Sequence, residues 1–320
     1  MQEIMKALIY GGGSVGLGIA SCLLKSETPV SIIAREDTVS CLRQYGLVRK
    51  GIFGEYYAEP ADFDCFSSLS ATSEQIYDYI LVSTKSCDTL EAVEDILQHK
   101  TCFDDITRIV LFQNGWGNAE IFSSFLPKEQ IFNARVITGF SRPKPNEVLI
   151  TVHADAIHIG SLFGSNSSKI ESLCKAITEG GIPCEPTNEI EKDLWAKMLY
   201  NCALNPLGAI LDVPYGILAE NDSTRLIMDK ILEEIFQVLA VAGYKTHWKK
   251  AGDFLKVFYS RLVPDTAEHK SSTLQDIHAK KKTEIEALNG AVIKLAEKYN
   301  INVPYNKTVY NMIKFIEANK

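Results

Sequence analysis

The sequence predicts two folded parts in succession, an α/β domain built on a doubly wound parallel sheet and then an all-helical domain. Three observations carry this reading. Strand-like and helix-like segments alternate up to about residue 187, and strands separated by helices imply parallel pairing. A glycine-rich turn joins the first strand to the first helix. From Glu189 onward every strong periodicity is helical. The parts are accordingly drawn at 1–187 and 188–320, and a chain of 320 residues can build two cores.

The elements follow in order. Lys6–Tyr10 is a short β-prone apolar run, and Leu17–Lys25 reads as a helix. Between them lies Gly11-Gly-Gly13-Ser14-Val15-Gly16, a G-x-G-x-x-G in strand–turn–helix context. Gly11 permits the tight turn, Gly13 lets backbone approach a pyrophosphate, and Gly16 lets helix and strand pack closely. The helix N-terminus then offers unpaired N–H groups to phosphate. Further strands are expected at Val30–Ala34, Tyr79–Ser83 and Ile109–Phe112, with helices over Asp88–Gln98 and Asn118–Phe125. A hairpin-like decoration is expected between Gly51 and Ala61. From Asn133 to Gly160 the pattern turns strand-rich, and Ile150–Ala154 and Ala156–Gly160 alternate as antiparallel strands would. A polar loop (161–168), a helix (Lys169–Glu179) and a short strand (Ile182–Glu185) complete the first part.

In the second part helices are expected over Glu189–Leu211, Ser223–Ala242, Lys249–Leu262, Ser272–Asn300 and Asn306–Ala318. The first of these carries Lys197, Asn201 and Asn205 at i, i+4 and i+8. Such positions drift by only about 40° per step on a helix, so a cation and two amides form one stripe. Trp195, Met198, Leu199, Cys202 and Leu204 cover much of the rest. A polar stripe on a buried helix is costly unless something bonds to it, and a substrate could.

Composition narrows the partners. Hydrophobic residues make up 46% and charged residues 23% of the chain, with a net charge of −7. That balance argues against nucleic acid or an anionic membrane as main partner. No apolar run reaches transmembrane length. The opening residues lead directly toward the first strand, and no signal peptide is expected. The eight cysteines are scattered without a C-x-x-C pair. They read as reduced core residues of a cytoplasmic protein, not as disulfides or a metal site.

The end of the second strand separates NAD from NADP, and here it continues Arg35-Glu36-Asp37. Arg35 favours the 2′-phosphate of NADP(H); a solvated turn residue is the other reading. Lys85 follows the strand ending at Ser83, at the carboxyl edge where ligands bind. Asn114, in Gln113-Asn114-Gly115 at the same edge, is either a contact for nicotinamide ribose or substrate or an ordinary Asn-Gly turn.

Taken together these motifs resemble the ketopantoate reductases, among the 6-phosphogluconate dehydrogenase-like reductases. The resemblance runs over nearly the whole chain. It rests on Gly11–Gly16, Ser83-Thr-Lys85, Phe112-Gln-Asn-Gly-Trp-Gly-Asn118, Trp195-Ala-Lys197 with Asn201 and Asn205-Pro206, Ser271–Asp276 and Thr283-Glu284-Ile285. It implies a Rossmann-like NADP-binding domain and a helical substrate domain like the 6-phosphogluconate dehydrogenase C-terminal domain. It also implies hydride transfer from NADPH to the C2 ketone of 2-dehydropantoate, a small 2-oxo acid, giving pantoate for pantothenate and coenzyme A synthesis. Lys197 would be the general acid, with a pKa lowered by partial burial. Asn201 and Asn205 would orient it and the substrate. Glu284 would accept from the substrate 4-hydroxyl, Ser272 would donate to its carboxylate, and Asn114 would lie near the reacting groups. Gly11, Gly13, Ser14, Val15, Gly16, Arg35, Lys85 and Asn114 would line the cofactor.

Read from the residues alone, Ser271 or Ser272 is equally a helix N-cap, and Glu284 could pair with Lys280 at i−4. The chain also departs from the family pattern. Ser14 stands where alanine is usual, and Ile137–Pro143 replaces a small Thr- and Gly-rich stretch. Arg142 and Lys144 there are unexplained, and Ser86-Cys87-Asp88 and Trp116 are unusual for the family. Two other functions stay open: a paralogous 2-oxo acid or D-2-hydroxy acid dehydrogenase using Lys197, and a non-catalytic NADP(H) sensor. The helical part has apolar surface enough for a homodimer, and a monomer is equally allowed.

Overall fold

The computed structural model describes residues 5–72 and 75–319; the lead-in over 1–4 lies outside them. The described residues divide into two compact units. One holds 1–113 and 118–190, the other 114–117 and 191–320.

The first unit contains β1 (Ala7–Tyr10), α1 (Ser14–Lys25), β2 (Val30–Ile33), α2 (Glu36–Tyr45), β3 (Leu47–Gly51), β4 (Tyr56–Ala58) and β5 (Asp64–Phe66). Next come β6 (Tyr79–Val82), α3 (Thr89–Gln98), β7 (Arg108–Leu111), α4 (Asn118–Ser123), β8 (Ile131–Arg135), β9 (Thr138–Lys144), β10 (Glu147–His153), β11 (Ile157–Gly160), α5 (Glu171–Glu179) and β12 (Cys184–Pro186). An eight-stranded sheet runs β12-β11-β8-β7-β6-β1-β2-β5, parallel from β5 through β8 and closed by β11 antiparallel to β8. Both faces are buried, as a parallel sheet requires. Leu8, Ile80, Val82 and Leu111 pack with α3 and α4 on one face. Ala7, Ile9, Leu81 and Val110 pack with α1 and α5 on the other.

A second sheet, β4-β3-β10-β9, covers α1 from the side away from the large sheet. The fit is close: a Cβ at Gly18 would lie 2.4 Å from the Phe140 ring of β9. Arg49 of β3 is fully buried here and donates to the Gly180 carbonyl that ends α5 (2.8 Å). A cation at that carbonyl offsets the negative helix end.

The two segments that alternate as antiparallel strands would, β10 and β11, belong to different sheets. β10 pairs with β9 and β11 with β8, each antiparallel. Alternation marks a strand but not its partner. Helix α2 had no expectation; its apolar stripe is narrow, with only Thr38, Val39 and Leu42 buried.

The second unit contains α6 (Ile190–Leu211), α7 (Tyr215–Glu220), α8 (Asp222–Ala242), α9 (Ala251–Val257), α10 (Ser272–His278), α11 (Asn289–Lys298) and α12 (Pro304–Ala318). A π turn over Phe258–Leu262 follows α9. Pro206 lies inside α6 and has no N–H for the Cys202 carbonyl. Asn289 Nδ2 donates to that carbonyl instead (3.2 Å).

The single helix expected over Ser272–Asn300 is two helices, α10 and α11, with a non-helical stretch between. Lys280, at φ +52°, ends the first in a left-handed conformation that helices do not propagate. The stretch is then pinned to α12. Thr283 donates through N–H and Oγ1 to Glu317 (2.7 Å each), and Glu286 accepts from Tyr310 (2.7 Å). The helical periodicity continues across the gap because Ile285, Leu288 and Val292 still face a core.

Candidate active site

The glycine turn shows why three of its residues carry no side chain. Gly11 sits at φ +117°, with the Thr84 backbone 2.8 Å from where a Cβ would be. At Gly16 a Cβ would lie 2.0 Å from the Gly11 carbonyl oxygen and 2.4 Å from Ser83 Oγ. Gly13 is different: a Cβ there would meet only the Ser83 carbonyl, at 3.9 Å. Protein packing therefore does not demand a glycine at 13, and a Cβ there would face open space that a ligand could approach. Gly13 is the N-cap of α1 and offers no side-chain cap, so the first N–H groups, at Ser14, Val15 and Gly16, keep their donors. Ser83 Oγ donates to the Gly11 carbonyl (2.6 Å), tying the end of β6 to the turn. This cradle fits a dinucleotide pyrophosphate.

Arg35 is exposed and forms the N-cap of α2, and its side chain has no hydrogen-bond partner among the described residues. Lys85 is half-buried just past β6; its carbonyl accepts from Gln113 Nε2 (3.2 Å). Gln113 also donates to Thr84 and Thr89, which fixes the Ser83–Thr89 turn.

In the helical unit Lys197, Asn114 and Glu284 come together. Lys197 Nζ donates to Asn114 Oδ1 at 2.6 Å, and Asn114 Nδ2 donates to Glu284 Oε2 at 3.0 Å. One amide thus bridges a cation and a carboxylate, each half-buried. Glu284 belongs to the non-helical stretch, so an i−4 helical pair with Lys280 has no helix to support it. Asn114 belongs to 114–117, the four residues that cluster with the helices. Gly115 and Gly117 there take φ +88° and +103°. The Trp116 N–H donates to the Ala287 carbonyl (2.8 Å), three residues past Glu284. The Trp116 ring, 7% exposed, packs on Trp195 at 4.6 Å and on Tyr244 at 4.9 Å. The departure at position 116 is therefore an anchor for the segment that carries Asn114. The sequence marks Trp116 only as a departure from the family; the signal for an anchor is the second tryptophan, Trp195, two residues before Lys197.

The remaining predicted residues separate. Asn201 is half-buried one turn beyond Lys197, and its amide has no hydrogen-bond partner among the described residues. Asn205 is buried, and its Oδ1 accepts from Tyr215 Oη at 2.6 Å. Burial pushes the Tyr215 hydroxyl well above the ordinary phenol range, so it stays a donor. Ser272 is exposed at the start of α10. The cap falls to its neighbour: Ser271 Oγ accepts from the Leu274 N–H (3.0 Å) and donates to the Asn205 carbonyl (3.2 Å). Among the described residues all eight cysteines are free, no cluster could hold a metal ion, and no helix is long and apolar enough to cross a membrane.

Comparison with known proteins identifies the family. The family described as ketopantoate reductase PanE/ApbA matches residues 7–164, and its C-terminal counterpart matches 189–317. A 2-dehydropantoate 2-reductase of Aquifex aeolicus is 36% identical over 97% of this chain and 96% of its own length. One from Archaeoglobus fulgidus is 26% identical over 99% of both. The crystal structure of a PanE/ApbA family ketopantoate reductase from Ralstonia eutropha JMP134 superposes with a TM-score of 0.85 at 27% identity, covering 98% of this chain and 99% of that one. A D-mandelate dehydrogenase solved with NADH and anilino(oxo)acetate shares the fold at 22% identity and a TM-score of 0.87, covering 98% of this chain and 99% of that one. With both family regions matched and a relative above one-third identity along almost the whole chain, this protein belongs to the ketopantoate reductase family, a family of dinucleotide-binding oxidoreductases.

Proposed function

We propose that the protein reduces 2-dehydropantoate to pantoate with NADPH, using Lys197 as general acid. The observation that carries the reading is the hydrogen-bonded series Lys197–Asn114–Glu284 in a chain of this family. In this reading 1–187 holds the cofactor and 188–320 holds the substrate and the acid. Gly11, Gly13, Ser14, Val15 and Gly16 take the pyrophosphate, Arg35 the 2′-phosphate, and Lys85 and Asn114 the ribose side.

When bound, the nicotinamide supplies a hydride to C2. The chain's own residues handle the charge and the proton. As C2 gains the electron pair, the carbonyl π pair moves to oxygen, and the Lys197 ammonium stabilises that oxygen and then protonates it. The Asn114 carbonyl accepts from the Lys197 ammonium and directs it. Glu284, held by the Asn114 amide, accepts from the substrate 4-hydroxyl. Asn201 offers a free amide to substrate, Asn205 holds its place on the stripe through Tyr215, and Ser272 offers its hydroxyl to the substrate carboxylate. The free cysteines suit a reducing compartment, and the cytoplasm is where we infer the enzyme works.

Steady-state oxidation of NADPH and of NADH, with 2-dehydropantoate and a panel of other 2-oxo acids, tests this. Selective turnover of 2-dehydropantoate with NADPH is expected. Faster turnover of another 2-oxo acid would reassign the substrate while keeping the Lys197 chemistry. Cofactor binding without turnover of any of them would end the enzymatic reading.

A further inference from the structure

We propose that Arg142 is a second ligand, beside Arg35, for the 2′-phosphate of the nicotinamide cofactor. It thereby helps select NADPH over NADH. The inference rests on the NADPH reading above and adds to it a residue from a different sheet.

The observations lie at one spot of the first unit. β9 crosses the start of α1, with Phe140 against Gly18 and Arg142 two residues further along the same strand. Arg142 Nη1 donates to the Gly12 carbonyl at 2.9 Å and to Thr38 Oγ1 at 3.1 Å. Gly12 is the middle of the glycine turn, and Thr38 is in the first turn of α2. These meet the end of β2: a Cβ at Gly12 would lie 2.4 Å from Ala34 Cβ and 3.4 Å from Thr38 Cγ2. Arg35 follows Ala34 directly, and its carbonyl accepts the Thr38 N–H at 2.9 Å. The Arg142 guanidinium is thus fixed on the junction from which the Arg35 side chain departs.

The donors that remain point to an anion. Only Nη1 of Arg142 is engaged; Nε and Nη2 have no partner among the described residues, and neither does the Arg35 guanidinium. No carboxylate among the described residues pairs with either arginine, although Glu36 and Asp37 are adjacent in sequence. Asp37 instead accepts, through Oδ1, from the Thr38 N–H (2.8 Å) and hydroxyl (3.3 Å). Lys144, two residues past Arg142, pairs with Glu147 at 4.0 Å and is not available in the same way. The N-terminus of the ten-residue α2 adds uncapped N–H groups beside Arg35. Two guanidinium groups with free forks at one helix start suit a phosphate dianion far better than a ribose hydroxyl.

Calorimetric titration of wild type and of Arg142→Gln with NADPH, NADH, 2′,5′-ADP and 5′-AMP tests this without turnover. Wild type should bind NADPH over NADH and 2′,5′-ADP over 5′-AMP. Arg142→Gln should lose about 10-fold in affinity for NADPH and 2′,5′-ADP, as a charge-assisted phosphate contact implies, with NADH and 5′-AMP little changed. Arg142→Lys, which keeps charge but not the fork, should recover part of the loss. An equal loss for both members of each pair would make Arg142 a brace for the glycine turn and overturn the proposal. So would a wild-type preference that Arg35→Ala abolishes and Arg142→Gln leaves intact, with NADPH selection by Arg35 still standing. A wild type with no preference for the 2′-phosphate would remove the NADPH reading itself, and the proposal with it. Inorganic phosphate alone, bound by wild type without any 2′,5′-ADP preference, would assign the arginines to a free oxyanion instead.

Discussion

The glycine turn and the lysine cluster hold their polar groups in opposite ways. The turn is six consecutive residues, and its donors are backbone N–H groups aimed by one strand and one helix. The cluster is three side chains separated by 83 and 170 positions, brought to 2.6 and 3.0 Å. Side chains at the turn matter mainly by being absent. Side chains at the cluster matter by identity, and each depends on a different anchor: Lys197 on α6, Asn114 on the Trp116 ring, Glu284 on the bonds from Thr283 to Glu317. The comparison teaches that the glycine turn should tolerate distant changes, whereas the lysine cluster should respond to substitutions well away from it.

Four outcomes break or sharpen that contrast. The largest effect belongs to Lys197→Ala, which should lower kcat by about 10²-fold or more with the fold intact, as loss of a general acid gives. Unchanged kcat with a normal melting curve would take Lys197 out of the mechanism. Glu284→Ala should next cost about 10²-fold in kcat/KM for 2-dehydropantoate, because the amide of Asn114 and the substrate hydroxyl both lose an acceptor. A loss under about threefold would remove Glu284 from the site.

Trp116→Ala tests the anchoring claim directly. Removing a buried aromatic should lower stability by about 3 kcal/mol, read from denaturant unfolding. At a temperature where the variant stays folded, kcat/KM should fall by about 10-fold through Asn114, while affinity for 2′,5′-ADP, which spans only the glycine turn and Arg35, holds. A drop in 2′,5′-ADP affinity of the same size would mean that the two regions are not independent.

The smallest effect is one of pH. Hydrogen bonds from Thr283, together with Lys314, hold the Glu317 carboxyl below its ordinary pKa in the folded chain, against the opposing pull of burial. The folded state therefore binds this proton less tightly than the unfolded one. Its contribution to stability is full above the ordinary glutamate range and fades as pH falls through the lowered folded value. Glu317→Gln should flatten the acid side of the stability profile and loosen the 283–286 stretch. Identical profiles for the two proteins would show that Thr283 does not depend on this carboxylate.

Much of the architecture was legible because its causes are local. Gly11 and Gly16 are dictated by a turn and a close approach that neighbouring residues impose, so the motif announces itself. The β1, β2, β6 and β7 runs read as strands because a sheet buried on both faces needs continuous apolar residues. The stripe on α6 was visible from spacing alone. Other features were not. The break between α10 and α11 was hidden because apolar periodicity persists on both sides of Lys280, and only the bonds from α12 reveal the interruption. The partners of β10 and β11 were hidden because alternation is the same in either sheet.

By itself, then, the sequence determined the α/β-then-helical order, the glycine cradle, the lysine–asparagine stripe and the resemblance that led to the family. Each follows from backbone geometry or from the fixed period of a helix, which act over a few residues. Only the tertiary structure decided that Asn114 bridges Lys197 and Glu284, that Trp116 anchors it, and that Arg142 lies on the glycine turn. These are contacts between segments up to 170 positions apart, and their geometry is set by how whole elements pack. No local period or propensity encodes that.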